Sequence, residues 1–189
     1  MVPSFTSRSL LPLLAALTLS CSHHQNRPEL AEDQTPKTIL KPITAEALLL
    51  DIKNREGSLV LVNVWSTWCE PCKKEFPYLL DLHRKYEKKG FHLILVSADF
   101  PEQVPDVYAF LRHHQITFPT FIKEGKDTVF IETLHPQWTG TIPATFIYDS
   151  TGSLRDFWEG EATYEIFEKR LLAVMKPGKM RTKSKEIEP

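Results

Sequence analysis

Residues 59–78 read LVLVNVWSTWCEPCKKEFPY, an apolar run that leads into two cysteines and then a charged segment. The apolar and β-branched run Leu59–Trp65 predicts a buried strand. A turn that carries Cys69 and Cys72 follows the strand, and the charged, helix-prone residues after it predict a helix. Pro71 would lie in the first turn of that helix, where its missing N–H costs nothing.

The two cysteines are spaced for thiol–disulfide exchange. Two intervening residues place Cys69 and Cys72 about one helical turn apart, within reach of a disulfide bond. The amides at a helix N-terminus favour an anion, so the first sulfur can ionise near neutral pH. Zinc sites also use this spacing, but they need further Cys or His ligands and the chain has no second C-x-x-C. We therefore expect a redox pair and no metal.

Size and composition are those of a single globular domain. The chain has 189 residues, of which 42% are hydrophobic and 25% charged. These proportions are ordinary for a folded protein. A net charge of -1 gives no reason to expect nucleic acid as a partner. We place the domain at residues 37–175.

The third cysteine calls for a separate explanation. Cys21 follows an apolar run of ten residues, LLPLLAALTL, which is too short to span a bilayer but suits a signal peptide. The run LTLSC resembles a bacterial lipoprotein signal, although Thr18 stands where leucine is usual. We expect a signal peptide over residues 1–21, ending at a lipidated Cys21. Secretion with soluble release is the alternative.

Polar segments flank the predicted domain. Residues 22–36 lack hydrophobic periodicity and are expected to form a flexible tether. Residues 176–189 are charged, contain proline and glycine, and are expected to form a flexible tail.

The remaining chain alternates helical and extended patterns. Residues 126–134 are ambiguous between helix and strand. The other predicted elements are helices over Thr44–Asn54, Cys72–Lys89, Val104–His114 and Thr163–Met175, and strands over Phe91–Ala98, Phe118–Ile122, Thr145–Tyr148 and Leu154–Glu159. This alternation, with a final hairpin, predicts an α/β sandwich with a mixed sheet. The first strands would be parallel and joined by a helical crossover.

The motifs resemble those of the thioredoxin superfamily. The resemblance rests on WCEPC after a buried strand, on Pro77 five residues past the second cysteine, and on Ile142-Pro143 before a strand. Residues 63–78, NVWSTWCEPCKKEFPY, look more narrowly like the TlpA/ResA-like thiol-disulfide oxidoreductases of bacterial envelopes. The likeness covers about residues 59–175. It implies a thioredoxin-like three-layer sandwich, with a central mixed β-sheet flanked by helices.

The resemblance also implies which residues form the site. Pro143 would be a cis-proline that faces the disulfide, with Ile142 before it, and the free backbone edge there would pair with a substrate peptide. A trans proline that opens a strand is the alternative. The groove around the disulfide would include Trp68, Glu70 and Pro71.

Two acidic positions bear on the chemistry. Thioredoxin carries a buried aspartate six residues before its first cysteine, where this chain has Asn63. Glu75, three residues after Cys72, can reach toward the sulfurs and help to deprotonate Cys72. A solvated carboxylate in the first helical turn is the alternative for Glu75. Glu70 lies between the cysteines and should disfavour a thiolate at Cys69, which favours a reductant.

One segment does not match the family with confidence. It runs over residues 123–138 and includes His135 and Trp138, which lie just before Pro143. Both could line the substrate groove, and packing in the core is the alternative for Trp138.

The expected function is reduction of disulfides in other envelope proteins. The protein would be a monomer, anchored to the membrane by lipid and facing the periplasm, without an organic cofactor. A membrane thiol donor would re-reduce it, because the envelope is oxidising. The resemblance implies cytochrome c maturation, with apocytochrome c as a substrate. Two alternative functions remain. One is a disulfide-donating oxidase or isomerase, and the other is a copper-binding chaperone that uses both thiolates.

Overall fold

The computed structural model describes residues 39–55 and 57–175. Cys21 and the segments predicted as signal peptide, tether and tail lie outside the described residues. None of the helices in the described part is both long and apolar enough to cross a membrane.

Six strands and five α-helices make up the domain. The strands are β1 (Leu40–Ile43), β2 (Leu59–Trp65), β3 (Phe91–Ser97), β4 (Thr120–Lys123), β5 (Ala144–Tyr148) and β6 (Leu154–Glu159). The helices are α1 (Ala45–Lys53), α2 (Glu70–Tyr86), α3 (Val104–His113), α4 (Asp127–Leu134) and α5 (Tyr164–Met175). Short 3₁₀ helices follow α2 and precede α3.

The strands form one mixed sheet in the order β1-β4-β3-β2-β5-β6. Strands β1 to β4 are parallel to one another, whereas β5 pairs antiparallel with β2 and β6 pairs antiparallel with β5. The parallel strands therefore end at the same edge of the sheet, and the segments that follow them meet there. This arrangement confirms the predicted mixed sheet.

The sheet is covered on both faces, which confirms three layers. Along β2, Leu59, Leu61 and Trp65 point to the face covered by α2, α3 and α5. Val60, Val62 and Val64 point to the opposite face, covered by α1 and α4. Since both faces are buried, β2 has no polar alternation, which is why its sequence is a nearly continuous apolar run.

The structure differs from the expected elements chiefly at β1 and at the two ends of α2, which stops at Tyr86 rather than Lys89, and β4 covers Thr120–Lys123 rather than Phe118–Ile122. Strand β1 was not predicted, because LKPI is short and contains a proline, which is tolerated at the sheet edge that β1 occupies. Helix α2 begins at Glu70 rather than Cys72, since the Cys69 sulfur already caps it. The ambiguous segment over residues 126–134 contains helix α4.

Candidate active site

The two cysteines lie at the N-terminus of α2, at the carboxyl end of β2. Cys69 is the N-cap residue, and the Cys72 N–H donates a hydrogen bond of 3.2 Å to its Sγ. The two residues form a disulfide bond with their Cα atoms 5.2 Å apart. Cys69 is 5% exposed to solvent and Cys72 is fully buried. Of the two cysteines, only Cys69 can therefore exchange disulfides directly with another molecule.

A buried carboxylate holds the loop before the cysteines. Both oxygens of Asp99 accept the Thr67 N–H, at 3.0 and 3.1 Å, and Oδ1 also accepts the Thr67 hydroxyl. Ser97 Oγ donates to Oδ2 at 2.7 Å. Asp99 is 3% exposed. The loop that carries Cys69 is thus fixed to the end of β3.

The Ile142–Pro143 peptide bond is cis, as the resemblance implies. The carbonyl oxygen of Ile142 lies 3.7 Å from Cys69 Sγ, so this segment faces the disulfide. Pro143 is buried and Ile142 is half-buried. The Pro143 carbonyl accepts the Gly160 N–H at 2.8 Å, which ties the segment to the end of β6.

Glu75 lies one turn below Cys72 and is only 1% exposed. Its Oε1 accepts a hydrogen bond of 2.8 Å from Asn63 Nδ2, and its Oε2 accepts one of 2.9 Å from the Ala162 N–H. A solvated carboxylate in the first helical turn is therefore the wrong description of Glu75. The structure gives it an anchored position in the interior.

Burial raises the pKa of Glu75 to about 7. The hydrogen bonds from Ala162 and Asn63 oppose this shift, and the nearby charge of Glu161 adds to it. A cleft of about 220 Å³ reaches Glu75 between Lys74, Tyr78 and Ile166. A carboxyl group with such a pKa and a route to solvent can take up or release a proton near neutral pH.

Asn63 links Glu75 to the strand after the cis-proline. Its side chain is on the same face of β2 as Leu61 and Trp65, beneath α2, because side chains alternate along a strand. Asn63 Nδ2 also donates to Thr145 Oγ1 at 3.1 Å. Its Oδ1 is buried without a hydrogen-bond partner among the described residues.

Sequence reasoning missed the partners of Glu75 and the role of Asp99. Ala162 and Thr145 carry no signal of their own in sequence, since their contacts to α2 and β2 span 87 and 82 residues. Asp99 had a weak signal, because it follows a buried strand whose end lies beside the end of β2.

The expected groove residues are exposed around the disulfide. Trp68 is 53% exposed, and Glu70 and Pro71 are also exposed. Glu70 forms an ion pair with Lys73. Its charge near Cys69 is therefore partly compensated.

Trp138 packs in the core, as the alternative reading proposed. It is 6% exposed, contacts Phe130 and Phe146 edge-on, and its Nε1–H donates to the Thr141 carbonyl at 2.9 Å. It therefore supports the segment before Pro143 and does not line a groove. His135 stacks on Phe157 of β6 at 4.6 Å.

The described residues contain no group of three or more His, Cys, Asp or Glu that could hold a metal ion.

Comparisons with known proteins agree with this geometry. Residues 32–157 match the AhpC/TSA family. The thiol-disulfide oxidoreductase ResA of Oceanobacillus iheyensis is 32% identical over 170 residues, which covers 87% of this chain and 84% of that protein. ResA of Bacillus cereus is 35% identical over 123 residues, covering 65% and 67% of the two chains.

A solved structure of a thioredoxin family thiol:disulfide interchange protein from Chlorobium tepidum shares the fold. It is 20% identical, has a TM-score of 0.56, and is aligned over 75% of this chain and 96% of its own. Fold and disulfide thus define a thioredoxin-like thiol-disulfide oxidoreductase. Within that class, the chain belongs to the ResA-like members of the AhpC/TSA family.

Proposed function

We propose that this protein reduces disulfide bonds in other proteins of the bacterial cell envelope. The observation that carries the proposal is the asymmetry of the pair: Cys69 is the partly accessible N-cap sulfur, and Cys72 is fully buried behind it. An accessible attacking sulfur with a buried resolving sulfur is suited to two-step exchange through a mixed disulfide.

In the first step the Cys69 thiolate attacks one sulfur of a substrate disulfide. A mixed disulfide forms with Cys69, and the other substrate cysteine leaves as a thiolate. The N–H of Cys72 and the N-terminus of α2 stabilise the charge on Cys69 before attack.

In the second step Cys72 attacks the Cys69 sulfur and releases the substrate cysteine. The thiol proton of Cys72 passes to Glu75, and two electrons have then moved from the protein to its substrate. The pKa of about 7 suits Glu75 to accept this proton and to pass it on to solvent near neutral pH. The end state is the disulfide that the structure contains.

Substrate peptide binds along the segment before Pro143. The Ile142 carbonyl next to Cys69 Sγ belongs to a backbone edge that faces the disulfide. Trp68, Glu70 and Pro71 form the remaining exposed wall of this groove.

The surroundings of the pair favour the reducing direction. Glu70 lies between the two cysteines in sequence, and its negative charge, which Lys73 compensates only in part, disfavours a thiolate at Cys69. A pair whose thiolate is disfavoured is a weaker oxidant, because its reduced form gains less from ionisation.

The domain works at a membrane surface and needs an electron supply. Cleavage directly before Cys21 leaves it as a lipidated N-terminus, and buried acyl chains contribute about 0.8 kcal/mol per CH₂ to anchoring. Residues 22–36 act as a tether for the domain at residues 37–175, and residues 176–189 form a tail. The domain faces the periplasm as a monomer, a membrane thiol donor re-reduces it, and apocytochrome c is among its substrates.

The reduction potential of the pair tests the direction of electron flow. A value near or below that of thioredoxin, about -270 mV, is expected for a reductant. A value near that of DsbA, about -120 mV, would make the protein a disulfide donor and overturn the proposal.

A further inference from the structure

An apolar cleft lies beside the active-site loop, on the side away from Pro143. It occupies about 430 Å³ at the carboxyl ends of β3 and β4. Its apolar walls come from Pro42, Ala98, Phe100, Pro101, Val104 and Ile122. Phe100 is 58% exposed at this cleft.

The cleft is joined directly to the residues that carry Cys69. The Ala98 N–H donates to the Trp65 carbonyl at 2.7 Å, and the neighbouring Asp99 accepts the N–H and hydroxyl of Thr67. One wall of the cleft is therefore continuous with the loop that presents the disulfide.

The sheet register sets how far the cleft is from the end of β2, the strand that leads to Cys69. Trp65 pairs with Ser97, Ser97 with Ile122, and Ile122 with Pro42, so one row of residues runs from β2 across to β1. Neighbouring strands are about 4.8 Å apart, which places Ile122 about 10 Å from β2. An extended peptide covers that distance in about three residues.

Hydrogen bonds hold the backbone at one wall of the cleft, and its charged lining residues are Asp99, Lys123, Glu124 and Asp127. The Phe100 N–H donates to Gln103 Oε1 at 3.1 Å, and the Phe100 carbonyl accepts the Gln103 N–H at 2.9 Å. Lys123 on the far wall is paired with Asp127 and also donates to the Gly125 carbonyl at 3.3 Å. A preformed pocket of this kind favours an apolar side chain over a charged one.

We propose that this cleft is a substrate subsite that binds an apolar side chain about three residues from the cysteine under attack. The inference rests on the proposed function, because it assumes a polypeptide disulfide at Cys69. The substrate peptide places its cysteine at Cys69 and one flanking segment along the backbone edge at Ile142. The other flanking segment then continues across β3 toward Phe100. The subsite thereby makes the protein prefer some protein disulfides over others. The exchange chemistry alone does not provide such selectivity.

The test uses mixed disulfides between glutathione and short peptides that contain one cysteine. One set carries phenylalanine three residues before or after the cysteine, and a matched set carries serine there. The dithiol form of the wild-type protein is expected to react about ten-fold faster with the phenylalanine peptide in one of these two registers. Equal rates in both registers would overturn the subsite, and this comparison needs no variant.

Variants then assign the preference to the cleft. Phe100→Ser should remove most of the gain, whereas Leu50→Ser, a matched change at a residue 59% exposed on α1, should leave it intact. A gain that survives Phe100→Ser would place the preference elsewhere and overturn the assignment. Reaction with glutathione disulfide should be unchanged in both variants. If the wild-type protein does not reduce the disulfides of insulin, the proposed function fails rather than the subsite alone.

Discussion

Asn63 Nδ2 donates a hydrogen bond of 2.8 Å to Oε1 of Glu75, in a position where both side chains are buried. This contact joins β2 to α2 directly beneath the cysteine pair. The position that holds a buried aspartate in thioredoxin therefore holds a neutral amide here, and the carboxyl group comes from the helix instead. An amide donor steadies the carboxylate form of Glu75, while burial favours the protonated form and prevails.

Glu75→Gln should slow the release of substrate from the mixed disulfide. Glutamine keeps the shape and can still accept the Ala162 N–H, but it cannot take the proton of Cys72. We expect a loss of about 10²-fold in the second exchange step at neutral pH, at the low end of general-base contributions. Stopped-flow fluorescence with a peptide disulfide measures this step.

A matched control is Glu102→Gln, since Glu102 is exposed and is not among the groups that shift the pKa of Glu75. This variant should retain the wild-type rate. An unchanged rate and an unchanged cysteine titration in Glu75→Gln would reject a role for Glu75 in proton transfer.

The stability of the oxidised protein should fall as the pH rises through the range in which Glu75 titrates. The pKa is raised from 4.5 to about 7 on folding, so the folded chain holds this proton more tightly than the unfolded chain. The contribution is fully present below pH 4.5 and is lost as the pH rises through 7. A shift of this size corresponds to about 3 kcal/mol in the free energy of unfolding.

Urea unfolding at a series of pH values from 4 to 8 measures this dependence. The comparison is with Glu75→Gln, which has no proton to lose and should show a flatter profile over the same range. Parallel profiles for the two proteins would contradict the raised pKa.

The chemistry at the cysteines could be predicted from sequence because its signals are local. The run Leu59–Trp65 is apolar since β2 is covered on both faces, and Cys69 with Cys72 follows at once. A strand, a turn and a helix N-terminus within one short stretch are enough to specify where the sulfurs lie.

What the sequence could not show depends on contacts between distant residues. Glu75 looks like an ordinary carboxylate of a first helical turn, and only the contact with Ala162, 87 residues away, shows that it is buried. Strand β1 likewise exists through its pairing with β4, far along the chain. Trp138 was equally suited to a groove or to the core, and its packing against Phe146 decides for the core.

Asp99→Asn should destabilise the protein and disturb Cys69. The substitution keeps the size of the side chain but replaces one accepting oxygen by a donor, which leaves the groups on Thr67 and Ser97 poorly paired in the interior. Leaving a buried donor unpaired costs about 1–3 kcal/mol. Thermal unfolding measures the loss of stability. The alkylation rate of Cys69 reports whether the loop that carries it has been disturbed.

Asp106→Asn on the exposed side of α3 is the control and should leave both quantities unchanged. If Asp99→Asn has wild-type stability and wild-type alkylation kinetics, Asp99 does not hold the active-site loop.

Cys72→Ala should trap substrate on Cys69. Cys69 remains partly accessible at the helix N-terminus and can still attack a disulfide, but the resolving sulfur is gone. The mixed disulfide then has no intramolecular route to release, so a covalent complex should accumulate with a protein such as insulin. Non-reducing electrophoresis and intact-mass measurement detect it.

Cys69→Ala gives the opposite expectation and serves as the control for that experiment. It should abolish insulin reduction and form no complex, because the remaining Cys72 is fully buried. The two variants therefore test whether the exposed sulfur attacks and the buried sulfur resolves. A stable complex through Cys72 in Cys69→Ala would reverse the roles assigned here, since it requires the buried sulfur to meet substrate directly. Rapid turnover in Cys72→Ala would show that Cys72 is not the resolving sulfur.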